Sequence, residues 1–153
     1  MSRFIKKIIK EYEDIYKIPI DNVKVLCKNN DIYECYCLFH NLKDEYQDGE
    51  YILHIKLAPT HPMEPPNFFF LTPNGRFEIN KKLCFSNSGY HSESWSPMWN
   101  LRTIILGFLS FFLEKKSLGI GHISMSDNEK QILARQSKQY NINNLNEIYF
   151  LFN

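Results

Sequence analysis

The first segment of the chain carries apolar residues at helical spacing. Phe4, Ile8, Tyr12 and Ile15 recur every three or four positions, so one face of a helix would be apolar and the other charged. Pro19 follows, and proline cannot continue a helix. The pattern therefore predicts an amphipathic N-terminal helix that ends before Pro19.

The next segment changes to the alternation that is typical of β-strands. Short apolar stretches at residues 23–25, 32–39, 51–57 and 68–71 are separated by turn signals such as Asp48-Gly49. Short connections between consecutive strands favour a four-stranded antiparallel meander. One face of such a sheet must be covered, and the flanking helices are the expected cover.

Residues 72–100 fit neither period and contain prolines, glycines and asparagines. A long irregular segment inside a small domain is uncommon and is often functional. Apolar residues then return at helical spacing over residues 101–112. This return predicts a buried central helix.

Two C-terminal helices are expected after the central one. Ser126 and Glu129 have the spacing of a capping box, so a helix should run from there to about residue 140. A short helix is expected over residues 144–150. Because the chain has no repeats, low-complexity tracts or shift in composition, the pattern predicts a single α+β domain over residues 1–153.

Composition and charge narrow the class of protein. The 153 residues are 44% hydrophobic with a net charge of +1, which is typical of a globular domain and gives no electrostatic reason to expect nucleic-acid binding. The N-terminus has no signal-peptide pattern, and the longest apolar stretch, residues 104–113, is too short to span a bilayer. The expectation is a soluble protein.

Cys84 stands apart from the other three cysteines, Cys27, Cys35 and Cys37, which fall in predicted strands and are expected to pack in the core. The absence of a C-x-x-C pair predicts no zinc site, and the three-plus-one spacing indicates a reducing compartment. Cys84 follows Lys81-Lys82, and positive charge favours a reactive thiolate. A lone cysteine is nevertheless more often a small buried apolar residue, and position alone favours that interpretation.

The motifs around Cys84 follow a specific order. The run His-Pro-Met-Glu-Pro-Pro at 61–66 precedes Thr-Pro-Asn-Gly-Arg-Phe at 72–77, then Leu83-Cys84, and Trp-Ser-Pro-Met-Trp at 95–99 leads into the central helix. This order closely resembles the ubiquitin-conjugating enzymes, over nearly the whole chain to about residue 140. Most members have His-Pro-Asn with the asparagine eight residues before the cysteine, whereas Asn74 lies ten residues before Cys84. The run at 72–77 resembles the tail-anchored branch of endoplasmic-reticulum-associated degradation.

The resemblance implies that Cys84 accepts ubiquitin as a thioester and passes it to lysine, or to serine or threonine, of a substrate. A thioester remains reactive toward such nucleophiles. Asn74 would stabilise the oxyanion or hold the active-site loop in shape; the alternative is an ordinary turn residue before Gly75, and Asn80 is a second candidate. His91 would take a proton from the nucleophile, or is a solvent-exposed loop histidine.

The resemblance also implies partners. The polar face of the first helix would contact the ubiquitin-activating enzyme, unless it is only a solvated face, and two loops would meet a RING-type ligase. These residues are Arg3, Lys6, Lys7 and Lys10 for the activating enzyme, and Met63, Pro97 and Met98 for the ligase. No metal or small-molecule cofactor is implied. The expected location is the cytoplasm, with membrane contact only through a C-terminal anchor missing from this chain, which would place it at the cytosolic face of the endoplasmic reticulum, or through a partner.

Three other hypotheses are open. A catalytically inactive binding module of the same fold would typically lack the cysteine, but Cys84 stands in place. A thiol hydrolase using Cys84 and His91 would need an orienting third residue and an oxyanion hole, and the sequence has no local signature for either. An α+β interaction domain without chemistry does not account for the order of the motifs.

Overall fold

The N-terminal helix lies where the apolar periodicity predicts it. The computed structural model describes residues 2–84, 95–114, 122–123 and 125–153, with Cys84 described for its backbone alone. Helix α1 spans Arg3–Lys17, and the Ser2 hydroxyl caps it by accepting the amide hydrogen of Ile5 over 3.2 Å. Ile8, Tyr12 and Ile15 are buried on one face. The predicted amphipathic helix is confirmed.

The predicted meander is confirmed, and it gains a short fifth strand. Strands pair antiparallel in chain order, so that each lies beside the next. The bounds are β1 Val23–Cys27, β2 Glu34–Phe39, β3 Tyr51–Lys56 and β4 Asn67–Phe70. The sequence pattern missed β5, Leu83–Cys84, which pairs antiparallel with β4 and places Cys84 opposite Asn67. The edge of the sheet therefore carries the candidate nucleophile.

The central helix covers the inner face of the sheet. Helix α2 spans Leu101–Leu113 and begins with a capping box between Asn100 and Thr103. The Phe112 ring centroid lies 5.0 Å from that of Phe70 on β4, and Phe108 lies 4.4 Å from Phe68. These aromatic contacts form the core between helix and sheet.

The C-terminal helices are also confirmed, although α3 ends later than predicted and α4 is shorter than predicted. Helix α3 spans Asp127–Asn144 and begins at the Ser126–Glu129 capping box. Helix α4 is Asn146–Tyr149, and a 3₁₀ turn, Phe150–Phe152, follows it. This segment packs its apolar side chains on the outer face of the sheet, against Leu38 and Ile52. Both faces of the sheet are therefore covered. Among the described residues, no helix is long and apolar enough to cross a membrane.

Candidate active site

The chain reaches Cys84 through a tight turn against strand β4. Ile79 forms a bridge with Phe70, and the amide of Asn80 donates to the Phe70 carbonyl over 2.7 Å. Asn80 has a φ of 60°, in the left-handed region that asparagine tolerates. Leu83 is buried in the core just before Cys84. Backbone pairing with β4 therefore sets the position of the candidate nucleophile.

The charge beside Cys84 is partly neutralised. Lys81 Nζ lies 2.9 Å from Glu78 Oε2, and both side chains are exposed. Lys82 is also exposed. An exposed ion pair contributes little energy, about 0–1 kcal/mol, so these charges remain available to a partner or substrate.

The other cysteines are placed as packing residues. Cys35 and Cys37 are fully buried on β2, and Cys27 is half-buried opposite Cys35. Burial, with neighbouring Cys35 as a further cause, raises the pKa of both the Cys27 and the Cys37 thiols above the ordinary value. Because the thiolate is the nucleophile, this makes them poor acyl acceptors at neutral pH.

Asn74 holds a buried turn ten residues before Cys84. Its Nδ2 donates to the Thr72 carbonyl over 3.0 Å, and its Oδ1 accepts the amide hydrogens of Arg76 and Phe77 over 2.9 and 2.8 Å. Asn74 is buried, so these amide groups have no access to bulk water. The side chain thus joins residues 72, 76 and 77 within one turn. Gly75 supports this turn with a φ of 85°.

Thr72 connects the Asn74 turn to helix α3. Its hydroxyl donates to Asn141 Oδ1 over 2.7 Å and accepts the amide hydrogen of Ile52 over 3.0 Å. Asn141 Nδ2 donates in turn to the Glu50 carbonyl over 2.9 Å. Thr72 and Asn141 are both fully buried. Thr72 is therefore held in a hydrogen-bonded network that reaches α3.

Arg76 is a fully buried arginine next to this turn. Its Nη1 donates to the Glu114 carbonyl at the end of α2 over 2.7 Å, and its guanidinium lies 5.3 and 5.0 Å from the ring centroids of Phe77 and Phe111. Among the described residues, Nε and Nη2 have no hydrogen-bond partner. Burial lowers the pKa of the Arg76 guanidinium from its ordinary value, while Tyr46 and Glu114 act in the opposite direction.

Replacement of Arg76 should separate the contribution of its volume from that of its charge. We expect Arg76→Ala to lower the free energy of unfolding by about 3–5 kcal/mol, because it leaves a cavity between two phenylalanine rings and removes a charged hydrogen bond. Arg76→Met should cost only about 1 kcal/mol, since methionine fills the space without a buried charge. Urea unfolding measures both values. Equal losses in the two variants would show that the bond to Glu114 matters more than the volume.

The segment after Arg76 is paired with a distant part of the chain. The Ile123 amide donates to the Arg76 carbonyl over 2.8 Å, and Phe77 forms a bridge with His122, their rings 4.6 Å apart. His122 also lies 5.6 Å from the Phe111 ring. The segment around the Asn74 turn is therefore hydrogen-bonded to the end of α2, to α3 and to residues 122–123.

The basic residues predicted to meet an activating enzyme lie along α1. Arg3, Lys6 and Lys10 are exposed, and Lys7 is half-buried with its Nζ 3.3 Å from Glu11 Oε2. The spacing of three and four residues places them on one side of the helix. These four residues form the basic stripe of α1.

The predicted ligase-contact residues are exposed on two loops. Met63 is 55% exposed and Met98 is 89% exposed, and Pro97 is exposed beside it. The two loops approach each other at their bases, where the His61 and Trp95 ring centroids are 6.3 Å apart. His91, the predicted proton acceptor, lies outside the described residues. Within the described ranges, no group of three or more His, Cys, Asp or Glu side chains could hold a metal ion.

The burial of two polar residues, Glu11 and Arg76, was not predicted from the sequence. Glu11 lies three residues after Ile8 and four before Ile15, so its position on the apolar face of the helix was a usable signal. Arg76 had no such signal, because it stands in a segment without periodicity. Its burial arises from contacts with α2 that are distant in sequence.

Known proteins of one family are similar to this chain over most of its length. A family model described as ubiquitin-conjugating enzyme matches residues 7–143. "Ubiquitin-conjugating enzyme E2 J2-like" of Dictyostelium discoideum is 37% identical over 92% of this chain and 82% of its own length. "Probable ubiquitin-conjugating enzyme E2 33" of Arabidopsis thaliana is 40% identical over 90% of this chain and 56% of its own length. Human "Ubiquitin-conjugating enzyme E2 J1" is 34% identical over 91% of this chain and 44% of its own length.

A solved structure agrees with the fold. The structure of human ubiquitin-conjugating enzyme E2 G1 matches with a TM-score of 0.59 at 23% identity, over 71% of this chain and 93% of that one. The chain spans about half the length of the plant and human relatives named here. The family model and the slime-mould relative together cover most of the chain. The chain therefore belongs to the ubiquitin-conjugating enzyme family, a class of transferases.

Proposed function

We propose that this chain accepts ubiquitin as a thioester on Cys84 and transfers it to a protein substrate. Enzymes of this family work in general with ubiquitin, an activating enzyme and a ligase. The observation that carries the proposal is the place of Cys84: in a chain of this family, it follows the Asn74 turn and lies at the edge of the sheet, paired with β4. The other cysteines in described strands have poor access or raised pKa values.

Two acyl transfers make up the proposed reaction. The Cys84 thiolate attacks the carbonyl carbon of the ubiquitin thioester on the activating enzyme, a new C–S bond forms, and the activating enzyme's thiolate leaves. A substrate lysine, or a serine or threonine hydroxyl, then attacks the same carbon and the Cys84 thiolate leaves. The nucleophile loses one proton, which we assign to His91. No step requires a metal or a cofactor.

Asn74 and the exposed surfaces support this reaction. We assign to Asn74 the maintenance of the active-site segment, since its side chain is engaged by the turn itself. The basic stripe of Arg3, Lys6, Lys7 and Lys10 is proposed to meet the activating enzyme. The loops of Met63, and of Pro97 and Met98, are proposed to meet a RING-type ligase.

The proposed setting is endoplasmic-reticulum-associated degradation at the cytosolic face of that membrane. Support comes from the Thr-Pro-Asn-Gly-Arg-Phe run at 72–77 and its resemblance to the tail-anchored branch. Residues 1–153 are proposed to form one catalytic domain.

A loading assay tests the proposal. The chain is incubated with ubiquitin-activating enzyme, ubiquitin and ATP and separated on a non-reducing gel. We expect a species heavier by one ubiquitin that requires ATP and disappears with thiol. A chain that binds ubiquitin without forming this adduct, beside a conjugating enzyme that loads fully, would favour the inactive binding module.

A further inference from the structure

The buried carboxylate of Glu11 joins three separate parts of the chain. Glu11 lies on α1 and is buried among apolar neighbours. Its Oε1 accepts the amide hydrogen of Leu101, the first residue of α2, over 2.5 Å. The same oxygen lies 3.1 Å from His61 Nε2. A carboxylate at this position also lies at the positive end of the α2 dipole, which favours negative charge.

His61 depends on this carboxylate. Its ring is fully buried, its Nε2 lies 3.1 and 3.3 Å from the two oxygens of Glu11, and its Nδ1 has no hydrogen-bond partner among the described residues. Loss of Glu11 would leave both nitrogens of the His61 ring without a hydrogen-bond partner among the described residues. Each unpaired buried polar group costs about 1–3 kcal/mol. The ring position is therefore coupled to α1.

The two groups bound by Glu11 lie at the bases of the two exposed loops. His61 precedes Met63 by two residues, and Leu101 follows Met98 by three. Both methionines are among the exposed large hydrophobic residues. One carboxylate thus contacts the bases of both loops, which are 30 or more residues apart in sequence.

We propose that Glu11 is a positioning residue for the ligase-facing surface: its carboxylate sets the Met63 loop and the Met98 loop relative to each other. The relevance to a ligase rests on the proposed function, whereas the positioning itself does not. The ion pair with Lys7 extends the connection to the basic stripe of α1. Glu11 does not touch the reacting atoms.

Methionine methyl NMR tests the positioning without a ligase. Met63, Met98 and Met125 are exposed, and Met125 lies beside Gly75, where a Cβ would contact it, so it is an internal reference. We expect Glu11→Leu to shift or broaden the methyl signals of both Met63 and Met98 and to leave Met125 unchanged. Glu11→Gln keeps an oxygen for the Leu101 amide and should return both signals toward their wild-type positions.

Two further variants keep the test decisive. Glu13→Leu changes an exposed residue of the same helix and should move none of the three signals. If Glu11→Leu does not fold, His61→Leu removes one of the two links and should shift Met63 more than Met98. Signals of Met63 and Met98 that stay in place in Glu11→Leu, or that move together with Met125, would overturn the proposal.

A ligase titration measures the consequence. A RING domain that accelerates ubiquitin discharge from the preloaded wild-type chain is titrated against preloaded Glu11→Leu. We expect the ligase concentration for half-maximal rate to rise about tenfold, equivalent to the loss of one good hydrogen bond, with the rate at saturation unchanged. An unchanged half-maximal concentration would contradict a role toward the ligase. A wild-type chain that forms no thioester would contradict the proposed function, while the methyl spectra still decide the positioning.

Discussion

Replacement of Cys84 with alanine is expected to abolish ubiquitin loading, and replacement with serine is expected to give an adduct that resists thiol. Alanine has no acceptor atom. Serine can accept the acyl group as an oxygen ester, which thiols cleave far more slowly than a thioester. Loading of both variants is followed on non-reducing gels with and without thiol.

Cys27→Ala is the matched control for these variants. Cys27 is half-buried in β1, and burial raises the pKa of its thiol, so it should contribute nothing to loading. We expect Cys27→Ala to load at the wild-type rate. A thiol-labile adduct that remains in Cys84→Ala and is lost when Cys27 is also replaced would identify Cys27 as an acceptor and contradict the proposal.

Replacement of Asn74 should distinguish the two roles open for this residue. Asn74→Ala leaves the buried amides of Arg76 and Phe77 without an acceptor, and we expect it to lower the free energy of unfolding by about 2–4 kcal/mol. The rate of ubiquitin discharge to free lysine should fall together with the free energy of unfolding. Asn74→Asp keeps an acceptor for both amides but loses the donor to the Thr72 carbonyl, so it should retain more of the stability and of the discharge rate than Asn74→Ala.

A low discharge rate in Asn74→Asp would instead point to a role of Asn74 at the oxyanion. A carboxylate cannot donate to an oxyanion and would repel it, so a donor role predicts a loss of about 10²–10³ in rate for both variants. Unfolding in urea and single-turnover discharge, measured on the same preparations, separate the two cases. Full stability of Asn74→Asp with a rate as low as that of Asn74→Ala would contradict the scaffold role.

The elements that follow from local patterns were predictable from the sequence. The apolar spacing of α1, the alternation of β1 to β4 and the capping box at Ser126 each depend on residues a few positions apart. Helix ends were less predictable, as α3 continues to Asn144. Strand β5 was missed because two residues carry no period, and they form a strand only by pairing with β4.

The buried polar contacts could not be predicted for the same physical reason. Glu11 and Leu101 are 90 positions apart, and Thr72 and Asn141 are 69 apart, so each contact exists only after the fold has formed. The order and spacing of the motifs led to Cys84 and Asn74, which the structure places at the edge of the sheet and in a buried turn. Their catalytic roles stay predictions.

The position of the acyl group on the loaded chain tests the central claim most directly. The chain is loaded with ubiquitin, its intact mass is measured with and without thiol, and the adduct is mapped by proteolysis and mass spectrometry. We predict one ubiquitin joined with loss of water to Cys84 and released by thiol. An adduct on Cys27 or on a lysine with Cys84 unmodified, or no adduct where a known conjugating enzyme loads fully, would contradict the account.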